Sequence, residues 1–304
     1  MMKVATLKTI PIVFLSLGLI AASPALAEDT ALPAEPQAQS EASKSVQPEI
    51  DAEVAKKSEE KRKAILADAT VALDETRSAL NLLDEKKPKE ALAALERATG
   101  KLALIVARDP KLALAPVGTK VITHDLLADL DTVKVVIKEA KDYMDDGEIQ
   151  KARPLVASLA SEIVFQTTSI PLATYPDAIK AVAPLIDDGK IMEAKTALQV
   201  ALNTLVVTTD DVIPLPSLRA EQMLKNAEKL AETKDREEKD NETLANLLKG
   251  AREQLKLAEL LGYGDKKAYK AIYEQIEQIE KKSEGGKSGK GWFDKIRKQL
   301  SELF

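Results

Sequence analysis

The residues that could do chemistry here are few. The chain has one histidine, His124, and no cysteine. Thiolate nucleophiles, thiolate metal sites and disulfides are therefore excluded, and any histidine chemistry falls to one side chain. A proton sensor is one use for His124; a solvent-facing histidine in the first turn of a helix is the plainer one, and we expect the latter. Asp142 to Arg153 partly imitates a calcium loop, with Asp142, Asp146 and Gly147 at ligand and turn positions. Met144 stands at the third position and Arg153 at the twelfth, where a hard cation needs a bidentate carboxylate, so no calcium is expected. Gly285-Gly286-Lys287-Ser288-Gly289-Lys290 has the composition of a phosphate loop but not its spacing. No arrangement of serine, lysine and histidine matches a nucleophile motif. We expect no catalytic residues, no metal, no cofactor and no enzymatic activity.

Two other groups of residues suggest binding. Pro171 and Pro214 break the helical pattern, and Tyr175 and Arg219 follow them closely enough to line a pocket for a small ligand. Near the C-terminus, Trp292, Phe293, Ile296 and Leu300 lie on one side of a short helix whose other positions carry Lys295, Arg297 and Lys298. Such a helix suits docking onto a partner, a membrane surface or its own body.

The elements around these residues are helical. Of 304 residues, 45% are apolar and only 3% aromatic. That profile favours packed amphipathic helices over a sandwich or barrel. Ala91, Leu95, Ala98, Leu102 and Ile105 step by threes and fours, as do Leu244, Leu247, Leu248, Ala251, Leu255, Ala258 and Leu261. Leu66, Leu73 and Leu80 form a stripe that fits either a coiled coil with a second chain or the next helix of the same chain. Leu205-Val206-Val207 is prone to form a strand but sits in a helical pattern. We expect helices over about 119–145 and from Gly147 to about 168, and no strand.

Asp145-Asp146-Gly147-Glu148-Ile149 is echoed by Asp187-Asp188-Gly189-Lys190-Ile191, and more faintly by Asp84-Glu85-Lys86-Lys87. The spacing is irregular for a solenoid. The expected fold is all-α: a bundle of stacked, irregular helical hairpins with an internal repeat.

The ends read differently. Lys3 and Lys8 precede the apolar run Ile10 to Ala22, and Ala25-Leu26-Ala27 forms a small-residue cleavage site. Residues 1–27 are expected to be a signal peptide cut after Ala27, which places the mature chain in the periplasm. Residues 28–49, rich in Ala, Pro and Glu, are expected to be a disordered linker. A helical domain over 50–283 follows, then a flexible Gly/Ser/Lys linker over 284–291 and the helix of 292–304. The net charge of −5 argues against a nucleic-acid partner.

Several blocks resemble the YfdX family: Ala94 to Leu102, Pro171 to Ile179, Leu202 to Val207, Ile213 to Glu221, Leu260 to Gly264 and Gly291 to Ile296. The resemblance spans about Glu60 to the C-terminus. It implies a helical, exported protein associated with acid and heat tolerance, with chaperone-like behaviour and homo-oligomers, and it brings no catalytic residues. Three functions follow as expectations. The first is a non-enzymatic stress protein that binds unfolded clients. The others are a small-ligand-binding protein and a docking partner of an inner-membrane protein.

Overall fold

The computed structural model describes residues 39–303, so the expected signal peptide lies outside the described residues. Two helices, α1 (Glu41–Ser45) and α2 (Gln47–Lys63), lead into a hairpin of α3 (Ala67–Asp84) and α4 (Pro88–Arg108) and then strand β1 (Leu114–His124). A second hairpin, α5 (Leu130–Asp145) and α6 (Ile149–Ser158), runs into β2 (Glu162–Pro171). Helices α7 (Tyr175–Lys180), α8 (Val182–Asp187) and α9 (Ile191–Leu202) run into β3 (Val206–Pro214). The chain ends in α10 (Leu215–Glu232), α11 (Glu238–Leu261), α12 (Lys266–Ser283) and α13 (Asp294–Leu303). The fold is predominantly helical, as expected.

The three strands are a correction. They form one antiparallel sheet in the order β1-β2-β3. The segments expected as helix over 119–124 and 162–168 are β1 and β2, and His124 is the last residue of β1. Their composition explains this: Val121-Ile122-Thr123, Ile163-Val164-Phe165 and Val206-Val207-Thr208-Thr209 are β-branched and aromatic runs, which fit a pleated surface better than a helix.

The sheet separates two cores. Side chains alternate along β2, which puts Ile163 and Phe165 on one face and Ile170 on the other. Ile163 and Phe165 pack with α1, α2 and α10 to α13. Ile170 joins Ala115, Val117 and the helices α3, α4 and α7 to α9. The face expected on α4 is the one buried there, Ala91 through Ile105.

The residues expected as linker up to 49 are helical from Glu41. The Ser40 side chain caps α1 by accepting from Ser43 N at 3.2 Å, and Val46 and Ile50 are buried in the first core. Buried apolar anchors offset the ordering entropy that this Ala- and Glu-rich composition alone would not. Residues 284–291 are also held. Arg236 donates to Lys287 O at 2.7 Å and Gly289 N donates to Ala231 O at 3.0 Å.

The Asp-Asp-Gly segments are helix ends rather than metal loops. Gly147 and Gly189 have φ of 75° and 73°. Glu148 N then donates to Tyr143 O at 2.8 Å, and Lys190 N to Leu185 O at 2.8 Å. Both are six-to-one closures that need a left-handed residue at the turn. Lys87 N makes the same bond to Leu82 O, with Lys86 taking the positive φ.

Gly250, inside α11, shows how α1 is seated. A Cβ there would lie 2.8 Å from Ala42 Cβ and 3.0 Å from Met223 Sδ. Gly250→Val is expected to lower unfolding free energy by about 1–3 kcal/mol through overpacking, despite the gain in helix propensity. Urea unfolding checks this; an unchanged midpoint would show that α1 is not packed there.

Candidate functional site: a polar cavity at the base of an apolar hairpin

After β1 the chain crosses Asp125 to Asp129 before entering α5. Asp125 is anchored by Arg219 of α10, which donates Nη1 to Oδ1 at 2.8 Å and Nη2 to Oδ2 at 2.7 Å. Arg219 is 2% exposed. A planar guanidinium fits this two-pronged pairing, which fixes orientation as well as distance. Ser161 joins the neighbouring segments. Its Oγ accepts from Leu126 N at 3.4 Å, its carbonyl accepts from Leu215 N at 2.9 Å, and its N–H donates to the Tyr263 hydroxyl at 3.1 Å. Tyr263 in turn donates to Glu162 Oε2 at 2.9 Å. Burial pushes the Tyr263 phenol up to about 12, so it stays a donor at any physiological pH.

These contacts frame a cavity of about 420 Å³ between α1, the Asp125–Asp129 crossing, α10 and α11. Leu126, Leu127, Leu130 and Leu257 give it apolar walls; Asp129, Asp131 and Glu253 put carboxylates round it, with Lys134 paired to Asp131 at 2.8 Å. Asp129 also caps α5, accepting from Thr132 N at 2.7 Å, and that backbone hydrogen bond holds its carboxyl below the usual carboxylate range. Two buried atoms in residues of the wall, Arg219 Nε and Gln254 Oε1, have no hydrogen-bond partner. Among the described residues no group of three or more His, Asp or Glu is placed to hold a metal ion.

The α5–α6 hairpin rises from this base. None of its residues belongs to either core; Val133, Ala140 and Ala152 are its buried positions, and α5 packs beside α11. Val135 and Ile149 are each 65% exposed, and Met144 and Val156 are also exposed. Single exposed apolar side chains need no explanation. Four stand on this hairpin, on more than one side of it, and Met192 and Val200 of α9 and Val207 and Val212 of β3 are exposed as well; the hairpin differs in lying outside both cores.

The residues singled out in the sequence end up apart. Arg219 lines the cavity. Tyr175 is fully buried in the second core, with its hydroxyl beside Thr76, whose own hydroxyl donates to Ala72 O at 2.8 Å. Burial pushes the Tyr175 phenol up. Phe293, Ile296 and Leu300 are buried in the first core with Trp292 packed against it, so the C-terminal helix docks on its own body beside α12. Arg297 reaches Glu228 of α10 at 3.2 Å. Asp125, Gln254 and the exposed hairpin positions went unread. The run Val135-Val136-Ile137 was the one local signal, since it gives α5 more apolar positions than a single packed face uses.

The family described as YfdX protein matches residues 72–211. The chain carries a YfdX region. It runs from within α3 into β3 and so contains the α5–α6 hairpin and nearly all of the sheet; α10 to α13 lie beyond the match. A solved structure of Salmonella Typhi YfdX is 15% identical, with 49% of this chain and 93% of that chain covered and a TM-score of 0.34. No curated protein matches.

Proposed function

We propose that this is a non-enzymatic, exported stress-response protein that holds unfolded or aggregation-prone chains, and that the α5–α6 hairpin of the YfdX region is the surface that does so. The observation that carries this reading is the position of the hairpin: outside both cores, with Val135, Met144, Ile149 and Val156 open to solvent. An unfolded chain offers apolar side chains, and covering them is favourable by roughly 25 cal/mol per Å². Export rests on the signal-like N-terminus, and assembly into homo-oligomers belongs to the same proposal. Docking to an inner-membrane partner through α13 is less favoured, because the apolar face of that helix is already covered.

The test is suppression of client aggregation. Val135→Asp with Ile149→Asp is expected to remove most of the suppression seen with the parent chain while leaving the unfolding free energy within about 0.5 kcal/mol, as surface changes do. Equal suppression by parent and variant would refute the hairpin's role.

The ion pairs between elements set how acid would act. Lys61 of α2 lies 2.7 Å from Asp211 of β3, and that hydrogen bond holds Asp211 below the usual carboxylate range. Lys101 does the same for Asp68 and Arg97 for Glu75, both across the α3–α4 hairpin. A carboxylate depressed in the folded state stabilises fully above its unfolded value, about 3.9 for Asp and 4.3 for Glu, and the contribution is lost as pH falls through the folded value. Stability is therefore expected to hold between pH 7 and about 5 and to fall below about pH 4. Urea unfolding at stepped pH reads this; a fall already complete at pH 5 would contradict it.

A further inference from the structure

Two residues of the cavity wall carry an unused donor and an unused acceptor. Arg219 commits both terminal nitrogens to Asp125, which leaves Nε–H as a buried donor without a partner. Gln254 uses Nε2 on Ser43 Oγ at 3.5 Å, which leaves Oε1 as a buried acceptor without one. Buried polar groups are almost always paired, so two orphans in residues of one wall point to something that supplies the complement. A residue in an extended chain offers its N–H and its carbonyl on the same side, matching the two. The leucine walls suit an apolar side chain; with Asp131 paired to Lys134, the Asp129 and Glu253 carboxylates suit basic flanking residues. About 420 Å³ is within the range of small ligand sites and admits a short segment rather than a helix.

We infer that this cavity takes a short extended peptide segment, an apolar residue flanked by basic ones, with its backbone paired to Arg219 and Gln254. The inference rests on the client-binding reading and narrows it: the hairpin covers an unfolded chain broadly, and the cavity selects a point along it.

The experiment is fluorescence anisotropy of a dye-labelled, end-blocked Lys-Leu-Leu-Lys peptide against the chain beginning at Glu28. Saturable binding is expected, with the Glu-Leu-Leu-Glu counterpart at least tenfold weaker. Gln254→Met keeps the shape but removes the acceptor and should weaken binding roughly tenfold. Leu127→Trp fills the cavity and should abolish binding. Val135→Asp with Ile149→Asp should leave peptide affinity unchanged. Absence of saturation, or equal affinity in the parent, Gln254→Met and Leu127→Trp chains, overturns the inference and leaves the cavity to ordered water. Peptide binding at the cavity without any suppression of aggregation would overturn the proposed function and leave the cavity site standing.

Discussion

Asp125→Ala is expected to lower unfolding free energy by about 3–5 kcal/mol, because it strands a buried guanidinium. Arg219 is almost fully buried, and Asp125 accepts both of its terminal nitrogens. Removing the carboxylate leaves the positive charge in a low-dielectric setting with three nitrogens unpaired. The reverse change should cost less. The Asp125 side chain is 29% exposed, so in Arg219→Met water reaches the carboxylate that remains. The double variant Asp125→Leu with Arg219→Met should recover much of the loss, since a buried pair is often replaceable by apolar residues of similar volume. A double-mutant cycle in urea reads all four chains. A loss under about 1 kcal/mol for Asp125→Ala would mean that the guanidinium finds water, and the cavity wall would then be open rather than built. The pair also fixes the crossing that leads into the hairpin, so this result bears on how the client surface is held.

Arg236→Met is expected to cost about 2–4 kcal/mol and to free the C-terminal segment. Arg236 sits just past α10 and donates to Leu230 O, Ala231 O and Thr233 O at 3.0, 3.2 and 3.1 Å. Those carbonyls belong to a helix end, where intrahelical donors run out. Its Nε donates to Asn241 Oδ1 at 2.9 Å, and Nη2 reaches across to Lys287 O at 2.7 Å. One side chain thus closes α10, steadies the start of α11 and pins the Gly-rich stretch before α13. Without it, limited trypsin digestion should cut at Lys287 and Lys290 many times faster, releasing a fragment that carries Trp292. Unchanged protection there would show that the buried Phe293 and Ile296 hold the segment unaided.

Much of this architecture can be read in advance, for a physical reason. Long amphipathic helices repeat one pattern many times, and the faces read on α4 and, but for the half-buried Leu261, on α11 are the buried ones. The strands were hidden because their apolar alternation is partial and two of the three, β1 and β3, carry an extra residue, Val117 and Asp210. The register shifts between Pro116 and Gly118, and again between Phe165 and Gln166, which blurs a period of two. Long-range polar pairing leaves no local trace at all. Arg219 follows a proline break and could be singled out, but Asp125 lies 94 residues away in sequence. Arg236 sits in the charged stretch from Lys225 to Glu242, where a cation reads as solvated. The Gly285 to Lys290 segment reads as linker because what orders it is a carbonyl and an amide, which every residue there carries.

The central claim is that unfolded chains are held at the α5–α6 hairpin. Site-specific photo-crosslinking tests it most directly. A photoreactive residue is placed in turn at 135, at 149 and at the exposed polar position Lys256, and the chain is mixed with a thermally unfolding client. The account predicts client adducts from 135 and 149 and few from 256. Adducts formed equally at all three sites, or only at 256, would contradict it.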